Sequence, residues 1–166
     1  MKKFKTGIVG CGRIGSILEE DPLRGKPCTH AGGFSALPAI YLSAGCDIDP
    51  ERLKEFGKRW HVTRLYSDYR EMLEKEKNRE DRVQLVTVAT PNATHHQISK
   101  AFMEAGFHVL CEKPMTMTVE EAKDLVKVSK ETGQICAVNY GYTGYPMVRQ
   151  MRSMVENGDL GAIRVV

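Results

Sequence analysis

Phe4-Lys5-Thr6-Gly7-Ile8-Val9 reads as a β-strand, and Gly10-Cys11-Gly12-Arg13-Ile14-Gly15 follows it without a gap. A Gly-x-Gly-x-x-Gly pattern is common by chance. Placed directly after a strand, and opening a helix expected to continue through Ser16-Ile17-Leu18, it acquires a mechanism. The first glycine permits a tight turn, the second lets a pyrophosphate approach the backbone, and the third lets the helix pack on the strand. Free N–H groups at the helix start then hold the anion. A glycine-rich turn with no ligand is the plain alternative, and it leaves the position of the pattern unexplained.

Strand and helix signals alternate outward from this point. Residues 39–46 are apolar enough for a second strand. Asp49-Pro50-Glu51-Arg52 then opens a helix, with Asp49 as N-cap and Pro50 at the first helical position, where its missing N–H costs nothing. Leu53, Phe56 and Trp60 fall on one face of it. A short strand is expected over 62–65, with Ser67 or Asp68 capping the charged helix after it. The clearest strand, 83–89, ends at Thr90-Pro91-Asn92, and the next helix turns Ile98, Ala101, Phe102 and Ala105 inward before Gly106. A strand at 108–111 follows. Thr118-Val119-Glu120-Glu121 is a capping box that opens a helix through Leu125 and Val126 to Gly133. After a strand at 135–138, a Tyr/Gly stretch (140–146) leads into a helix reaching Asn157-Gly158.

This order predicts an α/β fold, a doubly wound parallel sheet with helices on both faces. Residues 162–166 read as a further strand, and the sequence stops inside it. The chain is therefore expected to be the first part of a longer protein. Residues 1–145 would form a dinucleotide-binding domain, and 146–166 a helix and strand leading into a second domain. Apolar surface should be exposed around 163–166 and on the helix bearing Met147, Met151 and Met154.

The chain has 166 residues, 42% hydrophobic and 27% charged, which suits an ordinary globular protein. No apolar run approaches the ~20 residues of a membrane span. A net charge of +3 is too balanced to imply nucleic acid. The densest charge run, residues 70–82, holds five basic and five acidic side chains and reads as a solvated helix end. The five cysteines (Cys11, Cys28, Cys46, Cys111, Cys136) are odd in number, scattered and without a CxxC pair, which fits a reducing cytoplasm. Cys28 and His30 lack a second ligand pair, so no metal site is expected.

The fingerprint also calls for an acid after the second strand, to accept hydrogen bonds from the adenosine ribose. Asp47 holds that place, but 32 positions past Gly15, where about 20 is usual. The surplus of about a dozen residues points to an inserted loop after the first helix, within 19–33. That loop either covers a cofactor or is an inert excursion. Asp49 is a rival acid already explained as a cap. Thr90-Pro91-Asn92-Ala93-Thr94-His95-His96 and Glu112-Lys113-Pro114 end the fourth and fifth strands, on the carboxyl edge where such sheets bind ligands. An ammonium there, Lys113, can stabilise developing alkoxide charge on a substrate oxygen; otherwise it is a surface lysine. Paired histidines at a helix start, His95 and His96, are often only solvent-facing.

These segments come in a familiar order: the glycine turn, Cys46-Asp47-Ile48-Asp49-Pro50-Glu51-Arg52, Ala89-Thr90-Pro91-Asn92 with His95, and Cys111-Glu112-Lys113-Pro114. Together they resemble the N-terminal half of the glucose–fructose oxidoreductase and inositol dehydrogenase (Gfo/Idh/MocA) family. Gly158-Asp159-Leu160-Gly161-Ala162-Ile163-Arg164 resembles that family's entry into its second domain. The resemblance implies a Rossmann domain for NAD or NADP, followed by an α/β domain that forms the substrate pocket. By position, Gly10, Gly12, Arg13, Ile14 and Gly15 would hold the pyrophosphate and Asp47 the ribose. Thr90, Pro91, Asn92 and His95 would line the ribose–nicotinamide side. Glu112 and Lys113 would stand at the nicotinamide, with Lys113 in the catalytic group. The family's usual catalytic Asp and His would lie beyond Val166.

The implied reaction is hydride transfer between nicotinamide and a sugar, cyclitol or related polyol, by a protein that forms a homo-oligomer at full length. A carboxylate at Asp47 suits the two free hydroxyls of NAD and repels the 2′-phosphate of NADP, so NAD is the expected cofactor. One rival is a sensor module that holds the dinucleotide without turnover. A methyltransferase is a second, though Thr90-Pro91-Asn92 and Glu112-Lys113-Pro114 would have no role in it.

Overall fold

A computed structural model describes residues 3–165. Its six strands are β1 (Phe4–Val9), β2 (Ile40–Cys46), β3 (Arg64–Tyr66), β4 (Leu85–Val88), β5 (His108–Glu112) and β6 (Cys136–Asn139). All pair in parallel, in the order β3-β2-β1-β4-β5-β6. This is the doubly wound arrangement expected, with the strand order reversing beside β1, where a crevice opens at the carboxyl edge. The α-helices are α1 (His30–Ser35), α2 (Pro50–Trp60), α3 (Tyr69–Lys77), α4 (His95–Glu104), α5 (Val119–Thr132) and α6 (Pro146–Glu156).

Side chains alternate across each strand, so the sheet builds a core on both faces. Val9, Val86, Val88, Val109 and Cys111 face Met72, Ile98, Phe102, Met103, Leu125 and Val128 of α3, α4 and α5. Ile8 and Leu42 face the other way, onto Ala31, Phe34, Leu53 and Phe56 of α1 and α2. The caps fall where the sequence puts them. The Asp49 carboxylate accepts from the N–H groups of Glu51 and Arg52, Asp68 accepts from Arg70, and Thr118 and Glu121 complete the capping box. Among the inward residues of α4, Met103 is buried and was not expected, because the helix packs on β5 as well as β4.

Three expectations need correction. First, no regular helix continues from Gly15. Residues Ile17–Glu20 form a 3-10 turn, and the α-helix begins only at His30. Second, residues 162–165 carry no strand, and Val166 lies outside the described residues. A strand exists only as a hydrogen-bonded pair, and no described segment runs beside this one. Third, the 70–82 charge run is not wholly solvated. Glu76 is completely buried, within 3.2 Å of the Arg64 guanidinium, and accepts from the Tyr66 hydroxyl (2.8 Å) and the Val83 N–H (3.2 Å).

At the C-terminal end, α6 buries none of its residues. Met147, Met151, Ile163 and Val165 are exposed, as expected, while Met154 is half-buried. Tyr140, Tyr142 and Tyr145 extend this apolar surface toward the sheet edge.

Glu76 ties α3 to β3 and to the segment entering β4, and its removal leaves the Tyr66 hydroxyl and the Val83 N–H without a partner, while the Arg64 guanidinium keeps only the Ser43 and Asp81 oxygens. Glu76→Ala is expected to cost about 3 kcal/mol or more in urea unfolding. An exposed control on the same helix, Glu74→Ala, should change stability by less than about 0.5 kcal/mol.

Candidate cofactor and substrate site

The glycine turn starts from a backbone that only glycine tolerates well. Gly10 has φ +97°, and a Cβ there would collide with the Ala89 carbonyl. A Cβ on Gly15 would strike the Gly10 carbonyl oxygen, so these two glycines set the turn's tightness. Gly12 differs: a Cβ there meets only the tip of the Arg52 side chain, so the missing side chain leaves open space. The N–H groups of Gly12, Arg13, Ile14 and Gly15 donate to no protein acceptor among the described residues. Four successive free donors form a concavity suited to an anion.

The helix after the turn is interrupted rather than absent. Its first turn forms, with Ser16 N–H donating to Gly12 O at 2.9 Å. The next two carbonyls, Ile14 and Gly15, would in an unbroken helix accept from residues 18 and 19. They accept instead from His30 and Ala31, both at 3.0 Å. The chain thus leaves the helix after its first turn and rejoins it twelve residues later in the ladder. Removing those twelve from the 32-position interval restores the usual spacing of about 20 between Gly15 and Asp47. The insertion therefore interrupts the first helix, where the sequence reading placed it after that helix.

Two clefts open on the carboxyl edge. The first, about 490 Å³, is lined by Gly10 and Gly12, by Asp47, Ile48 and Arg52, by Asp68, Tyr69 and Arg70, and by Thr90, Pro91, Thr94 and Gln97. Asp47 stands at the end of β2, as expected, and is buried. Its Oδ2 accepts from Cys11 N–H and its Oδ1 from Asp49 N–H, both at 2.9 Å, and Arg52 Nε lies 3.8 Å away. Arg52 is itself held to Asp49 at 2.9 Å. Burial, reinforced by the Asp47 charge, pushes the Cys46 thiol up to about 12 and the neighbouring Cys11 thiol higher still, so neither is a nucleophile.

The second cleft, about 750 Å³, lies under the ends of β5 and β6. Ile14 of the glycine turn lines it, with Arg24, Cys28, His30, Glu112, Asn139, Tyr142 and Tyr145. Glu112 Oε1 accepts from Asn139 Nδ2 at 2.6 Å and faces His30 Nε2 at 2.9 Å. Its Oε2 accepts from the Lys113 backbone N–H at 3.0 Å. Burial works to raise this carboxyl, but the hydrogen bonds from His30, Asn139 and Lys113 prevail and hold it down at about 2. The Lys113 side chain is exposed and makes no ion pair among the described residues.

The structure thus gathers Gly10, Gly12, Asp47, Thr90 and Pro91 around one cleft, and Ile14 with Glu112 around the other. Arg13 and Asn92 are exposed beside them. His95 was expected to line the ribose–nicotinamide side, and it does not. It is fully buried beneath the edge, its ring nitrogens each 2.8 Å from a carbonyl, those of Thr90 and Pro114, so it joins the loops after β4 and β5 from below. His96 pairs with Asp124 on α5 at 2.8 Å. Sequence reasoning missed His30, Asn139 and the tyrosines. Asn139 had a usable signal, since it closes β6 at the carboxyl edge. His30 had none.

A six-stranded 3-2-1-4-5-6 sheet with free donors at the glycine turn and a carboxylate closing β2 defines a dinucleotide-binding domain of Rossmann type. Residues 4–140 match the family model for the oxidoreductase family with an NAD-binding Rossmann fold, Gfo/Idh/MocA, and the chain belongs to that family. It is 39% identical to an uncharacterized oxidoreductase of Bacillus subtilis, YfiI, over 99% of this chain and 41% of the relative. Levoglucosan dehydrogenase of Pseudarthrobacter phenanthrenivorans is 26% identical over 98% of this chain and 40% of its own length. Among solved structures, an inositol dehydrogenase homologue from Azotobacter vinelandii, complexed with NADH and myo-inositol, superimposes with a TM-score of 0.81. It is 39% identical, and the match covers 98% of this chain and 41% of that one. The chain therefore spans about two fifths of the length of these relatives. None of the helices among the described residues is long and apolar enough to cross a membrane.

The lowered Glu112 carboxyl makes stability depend on pH in a defined window. Its folded value of about 2 lies below the 4.5 of an unperturbed glutamate, so the stabilisation is full above about pH 4.5 and is lost as pH falls toward 2. Urea titrations of the parent and Glu112→Gln should differ by up to about 3 kcal/mol near neutrality, a gap that closes between those two pH values.

Proposed function

We propose that this chain is the cofactor-binding part of a dehydrogenase that moves a hydride between nicotinamide C4 and the carbinol carbon of a sugar, cyclitol or related polyol. The observation that carries the proposal is the row of four free N–H groups at Gly12–Gly15. Gly12 faces the first cleft and Ile14 the second, so the anion concavity stands between two chambers. A dinucleotide has that form, two halves joined by a pyrophosphate. The open space at Gly12 lets the anion reach the backbone, so the residues present fit the group.

In this reading the Gly12–Gly15 backbone binds the pyrophosphate, and Asp47 accepts hydrogen bonds from the adenosine ribose hydroxyls. Its two oxygens already hold Cys11 and Asp49, which fixes the carboxylate while leaving further lone pairs. Bound nicotinamide supplies the hydride acceptor or donor. Lys113 donates to the substrate oxygen and steadies the charge that develops there. Thr90 and Pro91 line the first cleft, with Asn92 exposed beside them. The known relatives act on levoglucosan, on glucosides and on inositols, which supports a polyol or sugar as substrate. The helix and tail from residue 146 lead toward the substrate domain, and their exposed apolar side chains suit its docking.

Cofactor choice follows from Asp47. A 2′-phosphate beside this carboxylate costs about 4 kcal/mol per like unit pair at about 4 Å and an effective dielectric of about 20. Partial solvation leaves a preference of about 1–3 kcal/mol, or roughly 5- to 150-fold, for NAD. Calorimetry should find NAD(H) bound at least several-fold more tightly than NADP(H), with Asp47→Ala erasing most of the gap. Equal affinities in the parent would remove Asp47 from the ribose site, and capture of the phosphate by Arg52 is the route to that result. In the longer protein, Lys113→Ala should lower kcat about 10²- to 10⁴-fold while leaving NAD affinity nearly unchanged.

A further inference from the structure

The inserted segment leaves the first helix at its first turn, which stands at the carboxyl edge of the sheet, beside the end of β1. Arg24, Pro27 and Cys28 of the excursion line the second cleft, so it borders the ligand edge. Its neck is tied. The Glu19 carboxylate accepts from Cys28 N–H (3.1 Å) and from the Thr29 hydroxyl (2.6 Å), and Lys26 Nζ donates to the Leu18 and Asp21 carbonyls. Thr29 Oγ1 then accepts from Gly32 N–H and caps α1, so the next residue, His30, returns in a fixed place.

That place is against Glu112. The His30 and Glu112 side chains are 7% and 9% exposed, and their closest atoms are 2.9 Å apart. A carboxylate only accepts, so Nε2 carries the proton in this bond. Burying an imidazole against a carboxylate costs both groups their hydration, so the pair stands only because each supplies the other with a hydrogen-bond partner. Lys113 gives the contact its meaning. Its side chain is exposed without an ion pair, so what fixes its origin is its own main chain, and that N–H is held by the other oxygen of Glu112.

We infer that His30, the first residue of the resumed helix, is a positioning residue for the reacting edge, holding the Glu112 carboxylate and, through it, the backbone of Lys113. The use of that geometry rests on the dehydrogenase reading above; the contact itself does not. Asn139 shares Oε1 with His30, so the carboxylate is held between the start of α1 and the end of β6. The other titratable groups lining the same cleft are Arg24 and Cys28 of the insertion and Tyr142 and Tyr145. They line it together with Glu112, so the insertion borders the cleft next to the Lys113 backbone.

The test has two arms. In this chain, the Lys113 amide resonance is followed by NMR in the parent, His30→Ala, His30→Gln and Asn139→Ala. Alanine at position 30 should move it, glutamine, whose amide can donate as Nε2 does, should return it toward the parent, and Asn139→Ala should move it without disturbing the insertion. In the longer protein, His30→Ala should lower kcat about 10- to 100-fold with the cofactor KM within about two-fold, and His30→Gln should recover most of the loss. An unmoved Lys113 amide in both His30→Ala and Asn139→Ala overturns the proposal. So does a parental kcat in His30→Ala, or a raised KM with kcat intact, which is the mark of a segment that only shapes binding. If the longer protein turns over no polyol, the dehydrogenase reading fails, and the amide arm still decides the positioning role.

Discussion

The carbonyls of Ile14 and Gly15 take their hydrogen bonds from His30 and Ala31, and the architecture of the ligand edge depends on that exchange. A helix must satisfy each carbonyl four residues on or find a substitute donor. Here the substitute comes from a segment twelve residues away in the ladder. The exchange keeps the glycine turn seated on a helical end, with its four N–H groups free of protein acceptors among the described residues. It also anchors α1, whose Ala31 and Phe34 pack with Ile8 and Leu42 on one face of the sheet. And it admits the inserted residues beside the carboxyl edge without displacing any strand.

Buried carboxylates do the remaining work of assembly. Asp47 and Glu112 stand on opposite sides of the point where strand order reverses, and each is buried only because main-chain and side-chain donors meet it. Asp47 joins the glycine turn to the start of α2. Glu112 joins β5 and β6 to the start of α1. His95 does the same from below, between the loops after β4 and β5. Loops tied by such contacts cannot rearrange cheaply, so the cleft walls are set before any ligand arrives. The exposed Lys113 is the contrast: an ammonium without an ion pair among the described residues, on a fixed base.

Much of this was legible in the chain. Parallel strands carry unbroken apolar runs, and helices announce themselves by caps, so the β-α alternation, the Asp49 and Asp68 caps and the Thr118 capping box could all be placed. Glycines at 10, 12 and 15, the acid at 47 and the Glu112-Lys113-Pro114 turn share a mechanism that fixes their types and their order. These signals are local, or have a near-constant spacing, and a surplus in that spacing was enough to reveal an insertion.

What the chain could not show is where its distant partners lie. Sequence placed the insertion after a helix; only the folded backbone showed that it interrupts one, because the donors to Ile14 and Gly15 are found by proximity and not by spacing. Glu76 sat in a run of cancelling charges that looked solvated, and its burial depends on Arg64 and Tyr66 of another element. The 162–165 stretch has strand composition but no neighbour to pair with. His30 stood out only with Cys28 as a metal-ligand candidate until β5 brought Glu112 to it, 82 positions away. The sequence by itself determined the fold and the glycine turn, because backbone conformation and apolar period are written residue by residue. The tertiary structure alone decided which polar groups are buried together, because a buried charge is defined by the partner that meets it.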